Sequence, residues 1–105
     1  MSSPVTSNST PDVTFIVPCY NEADVVGYTV PQLATAFKKG GWDLDLLCID
    51  NGSLDATGEV LRELKAQGYP VRIHKVDVNQ GYGWGVLQGL PLALGPWVGI
   101  IPADG

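Results

Sequence analysis

Residues 13–22 read VTFIVPCYNE: five apolar or β-branched residues, then Pro18, then a polar turn. Such a run predicts a strand from Val13 to Val17 buried on both faces, as parallel sheets require, halted at Pro18. Downstream, Val26, Val30, Leu33 and Phe37 recur at helical spacing, with Pro31 placed to bend or restart the helix and Gly40-Gly41 to end it. Leu44–Ile49 repeats the opening pattern and closes in Asp50-Asn51-Gly52-Ser53. Asp55 is expected to cap a second helix whose Val60, Leu61 and Leu64 face a core, with Gly68 at its end. Val71–Val76 predicts a third strand. The glycine-rich 79–89 segment opens a third helix carrying Val86, Leu87, Leu90 and Leu94, and Pro91 interrupts it. Trp97–Ile101 is expected to be a fourth, buried strand. Strands and helices alternating at this spacing imply βαβ units, right-handed crossovers and an α/β, Rossmann-like parallel sheet. The expected strand order is 3-2-1-4, with three flanking helices and the switch point between strands 1 and 4.

Composition narrows the partners. The 105 residues suffice for one small domain, and 45% apolar content supports a core. A net charge of −5, with six Lys and Arg of which only Lys38 and Lys39 are adjacent, disfavours nucleic acid. No stretch approaches the roughly 20 apolar residues of a membrane span. Residues 1–12 lack a basic start and an apolar centre, so they read as a disordered leader and not a secretory signal. Cys19 and Cys48 lie in apolar runs and read as reduced core thiols, which places the expected location in the cytoplasm or at the cytoplasmic face of a membrane.

The expected topology gathers Pro18–Glu22, Asp50-Asn51 and Ala103-Asp104 at the carboxyl edge, where open α/β sheets bind ligands. A familiar dinucleotide site is disfavoured. Gly81-Tyr82-Gly83-Trp84-Gly85-Val86 has Val86 in the third glycine's place and follows the wrong strand, and no Walker loop is present. The carboxylates suit other work. One can accept from a base N–H or ribose hydroxyl, and another can hold a hard divalent cation on a diphosphate.

VTFIVPCYNE, LLCIDNGSLDAT, VNQGYGWGVLQGL and WVGIIPADG, in this order, resemble the amino-terminal half of a family 2 glycosyltransferase. The resemblance runs from about Val13 to Gly105 and is nearest to polyprenyl-phosphate sugar synthases. It implies a GT-A fold that binds a UDP- or GDP-linked sugar with Mg or Mn and passes the sugar to a lipid phosphate or saccharide. It also implies that Pro18, Tyr20, Asn21 and Glu22 border the nucleotide, that Asp50 contacts the base beside Asn51, and that Gly81 and Ala103 lie at the same pocket. Asp104 is the implied metal ligand. Pro102 stands where the D-x-D motif has its first aspartate, and Asn51 where many relatives have an aspartate. The resemblance further implies that the acceptor site and general base follow Asp104. Residues 13–105 are thus expected to be the nucleotide-sugar-binding portion of an incomplete domain, with the catalytic base unassigned.

Plainer roles stand beside these. Asp-Asn-Gly-Ser is strong turn chemistry, Tyr20 and Asn21 can simply shape a turn, and Asp104 can sit on a solvated end. Tyr82 and Trp84 are expected to pack more than to stack on a base, and His74 to be a surface residue. The rival function is an inert nucleotide-binding or regulatory module.

Overall fold

The computed structural model describes residues 10–103. The elements run β1 (Val13–Cys19), α1 (Ala23–Lys39), β2 (Leu44–Asn51), α2 (Thr57–Ala66), β3 (Val71–Val76), α3 (Tyr82–Gly89), a 3-10 turn (Leu90–Leu92) and β4 (Trp97–Ile100). All strands are parallel, in the order β3-β2-β1-β4. The α/β class, the strand order and the three helices are as the sequence predicts. The leader reading concerns residues 1–9, which lie outside the described residues, and residues 10–12. Asp12 is tied to the fold: its N–H donates to the Asp43 carbonyl at 2.8 Å and its carboxylate accepts the Asp43 N–H at 2.7 Å.

The two faces of the sheet differ. Val13, Val17 and Cys19 of β1 and Leu44, Leu46 and Cys48 of β2 meet Val26 and Val30 of α1 and Leu61 and Leu64 of α2 in one buried cluster. Phe15 and Phe37 close it edge to face, with centroids 5.2 Å apart. The opposite face, under α3, has a buried cluster of only Ile16, Leu47 and Ile49, with Val76 against it.

Four local expectations are corrected. β1 continues through Pro18 to Cys19. Pro18 shares strand parity with Ile16, whose carbonyl accepts from Ile101 at 3.0 Å, so its missing N–H faces the β4 side beyond that strand's last paired residue. The β1–β4 ladder stops at this point while β1–β2 pairing runs on to Cys19, so proline is tolerated. α1 runs unbroken for 17 residues through Pro31, because Val26 and Val30 anchor it on the core. α3 turns glycines to the sheet in place of leucines: Gly85 and Gly89 are its buried residues, while Leu87, Leu90 and Leu94 are exposed. A Cβ at Gly89 would stand 2.9 Å from Ile16 Cγ2, so only glycine permits this approach. Finally, β4 ends at Ile100 and is not buried: Trp97, Val98 and Ile100 are exposed. It is the edge of the described sheet.

Candidate functional site

The carboxyl ends of β1 and β2 open into a cleft of about 130 Å³ lined by Pro18, Cys19, Tyr20, Glu22, Asn51, Asn79 and Tyr82. A larger hollow of about 450 Å³ lies at the opposite edge, between the ends of α1 and α2. The smaller cleft is the stronger candidate, because it holds an unsatisfied group. Asn51 is 2% exposed; its Nδ2 donates to the Gly81 carbonyl at 3.0 Å, yet its Oδ1 has no partner. A buried acceptor left so costs about 1–3 kcal/mol, and such orphans call for an explanation.

Both loops that frame the cleft are tightly held. Asn21 sits at φ 53°, a left-handed conformation that asparagine tolerates, and its Oδ1 accepts from the N–H groups of Leu54 (2.7 Å) and Asp55 (3.3 Å). Its own N–H donates to Ser53 Oγ, that of Glu22 to Thr57 Oγ1, and that of Ala23 to Asp55 Oδ2. Asp55 performs the expected capping service, accepting from Thr57 N–H and hydroxyl, although the helix itself begins beyond Ala56. On the third side, Gly81 adopts φ 100°, ψ 164°, a region left to glycine. Its N–H donates to Asn79 Oδ1 at 2.6 Å. Gly52, at φ 72°, brings the tip of β2 against Asn79: a Cβ there would be 2.3 Å from its nitrogen.

The structure therefore brings Pro18, Tyr20, Glu22 and Asn51 together around one cleft, with Gly81 behind Asn51 and Asn21 bracing the rim. Asp50 lies elsewhere. It follows the opposite parity to Asn51, is buried toward α2, and accepts from Ser53 N–H at 3.3 Å through Oδ1. Its Oδ2 would be 2.8 Å from a Cβ at Gly58. Ala103 is 1% exposed within the larger apolar cluster. Asp104 lies outside the described residues. Tyr82 and Trp84 do not pack as expected; they are 55% and 39% exposed, so the Tyr82 ring stands open at the cleft mouth beside Tyr20.

Cys19 also lines the cleft, but as a closed thiol. A hydrogen bond with Cys48, then burial, then electrostatic interaction with the neighbouring Cys48, Glu22 and Asp50 push its ionisation far above the ordinary thiol range. It donates to the Val17 carbonyl at 3.2 Å and offers no nucleophile. Sequence reasoning missed the supporting residues Ser53, Thr57 and Gly58. The available signal was small: two hydroxyls and a glycine clustered around the start of α2, each with an ordinary turn or capping explanation.

A family model for glycosyl transferase family 2 matches residues 14–105. The chain belongs to that family. Among its curated relatives, the succinoglycan biosynthesis protein ExoO of Rhizobium meliloti (strain 1021) is 29% identical over 102 residues, which cover 97% of this chain and 28% of that protein. The undecaprenyl-phosphate 4-deoxy-4-formamido-L-arabinose transferase of Edwardsiella ictaluri (strain 93-146) is 32% identical over 71 residues, covering 68% of this chain and 22% of that one. Similar solved folds include the mannosyltransferase PcManGT from Pyrobaculum calidifontis in complex with GDP-Man and Mn2+. Its TM-score is 0.76 at 23% identity, over 91% of this chain and 28% of the other. Another is S. aureus TarS 1-349 in complex with UDP, with TM-score 0.76 at 21% identity over 89% of this chain and 27% of the other. The sheet is thus of the GT-A kind, and the match to this glycosyltransferase-family chain spans between 22% and 28% of the length of these relatives. Among the described residues no helix is long and apolar enough to cross a membrane. No three His, Cys, Asp or Glu side chains among them converge as a metal site.

Proposed function

We propose that the cleft holds the base and ribose of a UDP- or GDP-linked sugar, and that the protein transfers this sugar to a lipid phosphate, such as a polyprenyl phosphate, or to a saccharide. The observation that carries the reading is the buried Asn51 Oδ1, an acceptor without a donor at the carboxyl edge of a GT-A sheet. A base N–H or a ribose hydroxyl would satisfy it. The open rings of Tyr20 and Tyr82 offer flat faces to a base, and Pro18 and Glu22 complete the walls. Asn21, Asp50 and Gly81 hold those walls in place, and Ala103 leads the chain from β4 toward Asp104.

Asp104 is the proposed ligand of Mg or Mn. One carboxylate with diphosphate oxygens and water suits these hard cations, which take few protein ligands. When bound, the metal neutralises charge on the departing diphosphate. The transfer breaks the bond between the sugar's anomeric carbon and the diphosphate oxygen and forms one to the acceptor oxygen, whose proton passes to a base. The relatives named for undecaprenyl phosphate support a lipid acceptor, and the two buried free thiols support a place in the cytoplasm or at the cytoplasmic face of a membrane.

Calorimetric titration with UDP, GDP and NAD, each with and without Mn²⁺, tests this reading. Metal-dependent binding of one nucleoside diphosphate, abolished in Asp104→Ala and weakened in Asn51→Leu, is the expected result. Tight NAD binding indifferent to both substitutions would overturn it.

A further inference from the structure

α3 carries one wall of the cleft, yet apolar packing does little to hold it, since its buried residues are two glycines. Polar contacts fasten it at both ends. At the cleft, Asn51 Nδ2 grips the Gly81 carbonyl. At the far edge of the sheet, the segment after α3 meets a buried network centred on Asp45. Arg72 on β3 donates through Nε to Asp45 Oδ1 at 2.8 Å and through Nη2 to Oδ2 at 2.7 Å. The same Nη2 donates to the Leu92 carbonyl at 2.7 Å. Thr14 on β1, fully buried, donates to Asp45 Oδ2 at 2.7 Å and accepts from the N–H groups of Leu94 (3.1 Å) and Gly95 (3.0 Å). Gly95 passes so near β1 that a Cβ would lie 2.9 Å from Thr14 N.

We infer that Arg72 is a positioning residue for the cleft: from the opposite edge of the sheet it clamps the carboxyl end of α3, and through that helix fixes the Gly81 carbonyl against Asn51. The geometry favours this over a purely local role. The guanidinium bridges a buried carboxylate and the main chain of the arm that leaves α3, and a bidentate fork fixes direction as well as distance. With α3 held mainly at its ends, release of one end frees the helix to slide on a surface of glycines. The amide of Asn51 then loses its fixed orientation, and its unpartnered acceptor loses its fixed place at the cleft wall.

The inference rests on the proposed nucleotide site for its consequence, not for its test. In the whole protein without nucleotide, Arg72→Ala is expected to speed hydrogen exchange of the amides at 82–94 about tenfold, equivalent to ~1.4 kcal/mol. Exchange in α1 and α2 should stay as it was. The two side-chain N–H resonances of Asn51 should move toward the positions of a free amide. Arg72→Lys, which keeps the charge but not the fork, should recover part of both changes. Exchange that is unaltered at 82–94, or that rises equally in every helix, would overturn the inference, as would an Asn51 amide that does not respond. Should Arg72→Ala fail to fold, Arg72→Lys against wild type is read by the same criteria. Nucleoside diphosphate affinity is measured alongside. A wild-type protein that binds none refutes the functional reading alone, while weaker binding in Arg72→Ala at a temperature where it stays folded joins the two.

Discussion

The two faces of this sheet are built by different means. Under α1 and α2, large aliphatic side chains interlock around Leu46, Leu61 and Val26, each fully buried. Under α3, glycines let the helix backbone come close to the side chains of Ile16 and Asn51, and side-chain hydrogen bonds replace much of the missing apolar area. Apolar burial is forgiving in direction and strong in sum, whereas polar clamps are weaker and exact about angle. The first face keeps the chain folded. The second holds one wall of the cleft in register and is the layer where local opening requires least free energy.

Mutations should separate these faces. Leu61→Ala, in the interlocked face, is expected to have the largest effect, a loss of about 2–5 kcal/mol of global stability by denaturant melting. A loss under 1 kcal/mol would show that the first face is not the one that holds the fold. Gly89→Ala, on the glycine face, forces a methyl toward Ile16 and should cost about 1–3 kcal/mol. Its signature is faster exchange in α3 without a matching change in α1, and uniform exchange would erase the contrast. Asn51→Asp, at the rim, replaces the donor to the Gly81 carbonyl by a second acceptor. A loss of about 1–3 kcal/mol is expected above the carboxylate's pKa, with part of it recovered on acidification, because a protonated acid can donate.

The smallest effect concerns pH at an exposed clamp. The hydrogen bond from Thr57, with further donation from the backbone, holds the ionisation of Asp55 below its ordinary 3.8. Its folded-state value is the lower, so its stabilisation is present above 3.8 and is lost as pH falls through the folded value. An acid titration of wild type against Asp55→Asn should show slightly steeper loss in wild type below that point; parallel curves would remove Asp55 from the set.

Much of the architecture was legible because its signals are those of period and punctuation. The doubly apolar runs at Val13 and Leu44 announce parallel strands, and the glycines at 40, 41 and 68 mark helix ends. The α3 face was harder to read. Val86, Leu87 and Leu90 look like a core stripe, and nothing local tells that Gly85 and Gly89 will be pressed against Ile16 and Asn51. Pro18 and Pro31 misled for different reasons. Pro18 falls where the β1–β4 ladder ends while β1–β2 pairing runs on, and Pro31 gives up a bond inside α1, which continues because Val26 and Val30 hold it to the core. At the site, the cluster of Pro18, Tyr20, Glu22 and Asn51 follows from strand order alone. The separation of Asp50 from Asn51 follows from parity, and would have been readable had the strand been extended two residues further. The far clamp was invisible, since Thr14, Asp45 and Arg72 are spread over three strands and each is unremarkable in its own segment.

The paired thiols on β1 and β2 have a practical consequence. Both are buried, and Cys19 is held protonated, so maleimides and other thiol-directed reagents should pass them by in the folded protein. One engineered cysteine, for instance Leu87→Cys on the outer side of α3, would then carry a fluorophore or spin label at a single defined place with no need to strip the native sulfurs first. The helix whose small displacements matter most to the cleft is thus also the easiest one to watch.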